Sequence, residues 1–160
     1  MPKEEIIELI AGSDANGVPV VEKLPMELKD QGEHRLIQSP AFVRGLARGD
    51  VIKVDKDKGS FELIRRSGNL CIRVIAREDL ETLEADLSPL IEKLGGQLDF
   101  GNDRILVYSI HVSCGFQPIE QVLNDHVGDE TESMWMYGNV YDPADGVTPL
   151  NWWKAILSEK

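Results

Sequence analysis

From Val18 the even positions Val18, Val20, Leu24, Met26 and Leu28 are apolar, and only Glu22 breaks the alternation. A period of two predicts a half-buried strand, with a bend near Pro25. Upstream, Ile6, Ile7, Leu9 and Ile10 fit a helical or a strand period equally, so residues 4–11 are ambiguous. Gln31-Gly32 marks a turn, 33–38 is a short strand candidate, and Ser39-Pro40 starts a loop. Residues 51–54 and 61–65, joined by a turn over 55–59, carry a hairpin signal. Four or five short strands with turns and no helix predict a small barrel or a curled sheet over residues 1–67.

After Ser67-Gly68-Asn69 the pattern changes. Leu70, Ile72, Val74 and Ala76 alternate with Cys71, Arg73, Ile75 and Arg77, which predicts a strand. Leu80, Leu83, Leu87, Leu90, Ile91 and Leu94 then recur at helical steps, closed by Gly95-Gly96. Pro89 lies inside that pattern and either kinks the helix or starts a new one after Ser88. Leu98 and Phe100 open a strand, Gly101-Asn102-Asp103 turns it, and 104–112 returns with apolar residues on both faces. Gln117-Pro118 opens a second helix with Ile119, Val122, Leu123 and Val127 on one side, and 134–140 is a last strand. Thr148-Pro149 is expected to begin a final helix running to about Ser158. The predicted fold class is α+β: a small β-barrel-like unit over 1–67, then a ferredoxin-like β-α-β-β-α-β unit with a C-terminal helix over 68–160. That topology makes its first and third strands central, and these are the two most apolar strands.

Charge adds an asymmetry. The 160 residues carry a net charge of −11. Residues 1–80 hold 13 basic and 14 acidic side chains, whereas 81–160 hold 4 and 14. An acidic half of this size repels phosphate backbones and disfavours nucleic acid as a partner. It favours encounter with a basic protein, although net charge also serves solubility alone. No apolar run approaches the roughly 20 residues of a membrane span. The N-terminal Met1-Pro2-Lys3-Glu4-Glu5 has acids where a secretory signal would carry basic residues, so a cytoplasmic location is expected. Two distant cysteines, Cys71 and Cys114, form no disulfide framework.

Candidate chemistry is sparse. His111 and Cys114 are near in sequence, and they could form a thiol–imidazole pair only if the chain turns after Val112. The competing reading is an inert buried thiol. His34, His111 and His126 stand in separate elements without metal-ligand spacing, so no metal and no cofactor is expected. No phosphate-binding glycine motif occurs. Arg48-Gly49-Asp50 reads as turn chemistry. The third strand of the second unit has Tyr108 as its lone aromatic, against the stacking surface of RNA-binding layers. Arg65, Arg66, Arg73 and Arg77 cluster at the junction of the halves; they are candidates for a small anionic ligand or for pairing with the acidic half. Trp153 joins the apolar side of the last helix. Trp152, about 100° away on a helix, is a candidate partner-binding residue or packs on the N-terminal half.

Ser39-Pro-Ala-Phe-Val-Arg-Gly-Leu-Ala-Arg-Gly-Asp-Val-Ile, then Ser67-Gly-Asn and the strand Ile72-Arg-Val, resemble a bacterial family of uncharacterised domains, domain of unknown function 4265. The resemblance covers roughly residues 5–140 and implies no activity and no catalytic residue. Three function classes follow: a non-enzymatic interaction or regulatory module, immunity-like and facing a basic partner; a small-ligand sensor of ferredoxin-like topology; and an enzyme using Cys114 and His111.

Overall fold

A computed structural model describes residues 3–158. The first sheet holds β1 (Lys3–Ser13), β2 (Pro19–Leu28), β3 (Glu33–Leu36), β4 (Val51–Asp55) and β5 (Ser60–Arg65), in sequence order and antiparallel throughout. The ambiguous first segment is a strand because β2 pairs along its length, from Lys3 opposite Leu28 to Ser13 opposite Pro19. Its side chains then sort by period two. Ile7 and Leu9 enter the core with Leu24, Met26, Leu36 and Ile52, while Ile6 and Ile10 face outward. β2 runs through Pro25 without a break, and the irregularity in that ladder falls instead between Ile10 and Ser13. The sheet curls far enough that the Ile10 N–H donates to the Gly59 carbonyl at 2.9 Å. Gly59 has φ +67°, and a Cβ there would come within 2.9 Å of Ile10 Cγ1, so the close approach needs glycine.

The second sheet holds β6 (Asn69–Ala76), β7 (Gln97–Gly101), β8 (Ile105–His111) and β9 (Ser133–Tyr137), in the order β7-β8-β6-β9. All its pairings are antiparallel, and β6 and β8 are central. Helices α1 (Leu80–Lys93) and α2 (Phe116–His126) cover one face. Leu70, Ile72, Val74, Leu106, Tyr108 and Ile110 meet Leu83, Leu87, Ile91, Ile119 and Leu123 there. Tyr108 is tied to α1 by a 2.8 Å hydrogen bond between its hydroxyl and Ser88 Oγ. The opposite face presents Cys71, Ile105 and Val107, and it is closed by Ala41 and Ala47 from the connection between β3 and β4. The N-terminal sheet therefore supplies a layer of the C-terminal core through one loop.

Three local expectations change. Ser88-Pro89 does not restart a helix: α1 is one helix that runs through Pro89, which sits on its exposed side. The last strand ends at Tyr137 rather than at residue 140. The last helix, α3 (Trp153–Ser158), starts four residues after Pro149. Asn151 has φ +62°, which no helix can include. Pro149 instead bridges to Tyr141.

Candidate functional site

The loop over residues 39–50 is held from both sides by charged side chains, half-buried Glu22 and buried Arg73. Glu22, the break in the β2 alternation, accepts hydrogen bonds from the N–H groups of Ala41, Phe42 and Val43 at 2.7, 2.9 and 2.8 Å. Arg73 on β6 is 5% exposed and reaches the same turn from the other sheet. Its Nε donates to the Pro40 carbonyl at 3.2 Å, and its guanidinium also donates to the Val43 carbonyl. The loop thus gives its N–H groups to one sheet's carboxylate and its carbonyls to the other's guanidinium. A second clasp lies beside it. Asp99, at the irregular point of β7, has a fully buried side chain. It accepts from the Ser39 N–H at 2.8 Å and from Ser109 Oγ at 2.9 Å. The Arg48 Nε donates to Ser109 Oγ at 2.9 Å and lies 3.6 Å from Asp99.

The third clasp is the turn that joins the halves. Asp50 accepts from the Ala47 N–H, the Ser67 N–H and the Ser67 hydroxyl at 3.0, 2.8 and 3.1 Å. Burial raises its pKa despite these donors and the nearby Arg66. The folded protein holds this proton to higher pH than the unfolded chain does. Its contribution to stability therefore falls as pH rises from the ordinary carboxylate range through the raised value. Asn69 Nδ2 donates to the Arg48 carbonyl at 2.8 Å. The residues of Ser39–Ile52, Ser67–Asn69 and Arg73 thus meet at one seam between the sheets. Glu22 and Asp99 complete it. Glu22 could have been found as the lone polar break in an apolar series, whereas Asp99 carries no such signal.

The four arginines of the junction do not form one cluster. Arg65 is exposed at the end of β5. Arg66 donates to the Gly45 carbonyl at 3.1 Å and stacks 5.3 Å over the Trp152 ring, and burial lowers its pKa. Arg73 serves the seam. Arg77, exposed, lines an open depression of about 890 Å³ with Arg104, Asp103, Asp129, Glu132 and Met134. Trp152 lies just ahead of α3 and is half-buried, its Nε1 donating to the Asn139 carbonyl at 2.9 Å. Trp153 packs edge-on against Phe116, with centroids 5.2 Å apart.

The chain does turn after Val112, but His111 and Cys114 are not joined by a hydrogen bond among the described residues. Nδ1 of His111 is engaged by the Ser113 hydroxyl at 2.8 Å and the Ser113 N–H at 3.2 Å. Its ring lies against Gly68, where any Cβ would overlap it. Cys114 packs on the helical core, and burial pushes its thiol up. Cys71, on the other face of the sheet, is fully buried and pushed up to about 11. Both cysteines are free.

One surface concentrates acid. Glu78, Asp79, Asp86, Asp125, Glu130 and Glu132 line a groove of about 460 Å³ between the start of α1 and the end of α2. No lysine or arginine lines it. No group of acidic, His or Cys side chains among the described residues is arranged to hold a metal ion. No helix among them is long and apolar enough to cross a membrane.

The profile of the family described as Domain of unknown function (DUF4265) matches residues 22–136. The chain belongs to this family. The matched span contains Glu22, Arg73, Asp99 and the whole 39–50 loop, but neither β1 nor α3. Among solved structures, a hypothetical protein from Neisseria gonorrhoeae is similar at 17% identity and a TM-score of 0.64, over 86% of this chain and 94% of that one. That likeness is one of fold. No curated protein matches.

Proposed function

We propose that this DUF4265 protein is a non-enzymatic interaction module of the bacterial cytosol that binds a basic protein through the acidic groove between α1 and α2. The observation behind this reading is the groove itself: six carboxylates, with His126 beside them and no lysine or arginine to neutralise them. Like charges held together raise the local potential, attract a cationic partner and speed its encounter. We further read the chain as two units divided between residues 67 and 68. The order β7-β8-β6-β9 with both helices on one face supports a ferredoxin-like second unit. The contact between Ile10 and Gly59 supports a barrel-like curl in the first.

The test is calorimetric titration with a synthetic oligolysine peptide at low and high salt. Binding at low salt is expected to weaken by about tenfold or more in the triple variant Asp125→Asn, Glu130→Gln, Glu132→Gln, as removal of a focused field predicts. A control that neutralises Glu4, Glu8 and Glu62 on the first sheet should bind as the parent does. Equal weakening in both triples, or no binding by the parent, would sink the reading.

A further inference from the structure

The two halves of the first sheet's outer surface differ. Over β3–β5 that surface is a charged ladder: Glu33 stands opposite Lys53, Lys53 opposite Glu62, and Arg35 bonds Glu27 of β2 at 2.8 Å. Over β1 and β2 it is apolar at its centre, with one charge step inside the apolar rows and Glu4 opposite Glu27 at one end. Ile6 stands opposite Pro25, Glu8 opposite Lys23, and Ile10 opposite Val21. Ile6, Ile10 and Val21 are 64%, 42% and 49% exposed. Glu8 and Lys23 make no ion pair with each other among the described residues, although they face one another in the ladder. Exposed apolar side chains grouped on one sheet face mark a contact surface.

We propose that this hairpin face is the interface of a homodimer, with a second copy packed face to face about a two-fold axis lying between β1 and β2 and parallel to them. The pattern is complementary to itself under that operation, as an isologous contact requires. Rotation about the axis lays β1 of one protomer over β2 of the other at the same height. Ile6 then meets Pro25, Ile10 meets Val21, and each Glu8 meets the other protomer's Lys23. Both copies of the charge step are thereby paired. Glu4 comes over Glu27, whose charge is already countered by Arg35 at 2.8 Å and Lys29 at 3.5 Å. A hairpin face of this length is about 30 Å long and about 15 Å wide with its side chains, so two faces bury on the order of 900 Å² together. That is the low end for a specific contact, so the dimer dissociates on dilution.

Sedimentation of the full chain from about 1 µM to about 500 µM, the range in which a contact of this size exchanges with monomer, reads the proposal directly. The parent should shift from monomer to dimer as concentration rises. Lys23→Glu, which sets Glu against Glu across the axis, should weaken the dimer about tenfold or more. The swap Glu8→Lys with Lys23→Glu should restore it. Ile6→Glu should also abolish it, with far-UV circular dichroism unchanged because the side chain is exposed. A parent that stays monomeric overturns the proposal. So does a dimer that Lys23→Glu leaves intact, as strand pairing along the outer edge of β1 before Ile10 would, and so does a charge swap that fails to rescue.

Discussion

Arg73 is a buried cation whose hydrogen bonds go to carbonyls. Its planar fork spans two acceptors of one loop, Pro40 and Val43, from a fixed place on the central strand β6. An ammonium is a point charge on a flexible stem and does not hold two carbonyls in that geometry. Arg73→Lys is therefore expected to cost about 1–3 kcal/mol, the range for leaving a buried polar group without its partner. Urea unfolding of the variant against the parent measures it. A cost below about 0.5 kcal/mol, the level of an ordinary surface change, would mean the loop does not depend on the fork. In the sequence, Arg73 stood out only as a charge alternating with apolar residues. Its membership in a set with Arg65, Arg66 and Arg77 was proximity along the chain. Strand period sends Arg73 and Arg77 to the same face, but Arg77 lies one residue beyond the end of β6. Glu22 was legible as an exception to a pattern; that it holds three consecutive N–H groups depends on a loop about twenty residues away, beyond any local period.

At the scale of elements, period was the reliable guide and termini were not. The apolar positions of β6, β8, α1 and α2, Leu90 excepted, sort to the faces that alternation and helical spacing assign. The boundaries failed where a single backbone angle decided them, as at Asn151 ahead of α3. Pro89 is the instructive case. Ser88-Pro89 is a fair helix start in isolation, yet Leu87 and Ile91 on either side of it are both fully buried against the sheet. Burying each such side chain is worth about 1.5–3 kcal/mol, enough to carry the helix through a missing N–H. The cost is still present in the native state. Pro89→Ala restores a donor for the Ala85 carbonyl at an exposed site, so it is expected to stabilise by about 1–2 kcal/mol, less than the full helix penalty because alanine also frees the unfolded chain. Thermal unfolding shows this as a raised midpoint; an unchanged or lowered one would mean the helix is already distorted to suit proline.

At the scale of the molecule, the division into a β-rich beginning and a helix-covered second sheet was legible because the hydrophobic period changes after Ser67. The seam was not, because its bonds join residues as far apart as Ser39 and Asp99 or Pro40 and Arg73. The acidic groove was visible only as a total; folding gathers its carboxylates from the approaches to α1, the end of α2 and the turn before β9. The two sheets share a core layer, so residues 68–160 alone should lose it. That fragment leaves Cys71, Ile105 and Val107 without Ala41 and Ala47, and leaves Arg73 without its acceptors. It is expected to lack the near-UV circular dichroism of the full chain and to regain it on mixing with residues 1–67; a fragment that is native-like by itself would show the shared layer to be dispensable. The same arrangement bears on the order of assembly during synthesis. The first sheet leaves the ribosome complete, but its 39–50 loop then has Glu22 on one side and nothing on the other. Arg73 follows about thirty residues later and Asp99 about sixty later. Closing contacts over such separations is slow relative to hairpin formation. The loop is accordingly expected to be the last part of the N-terminal half to gain amide protection during refolding, which pulsed hydrogen exchange would read; protection there as early as in β1 and β2 would count against this order.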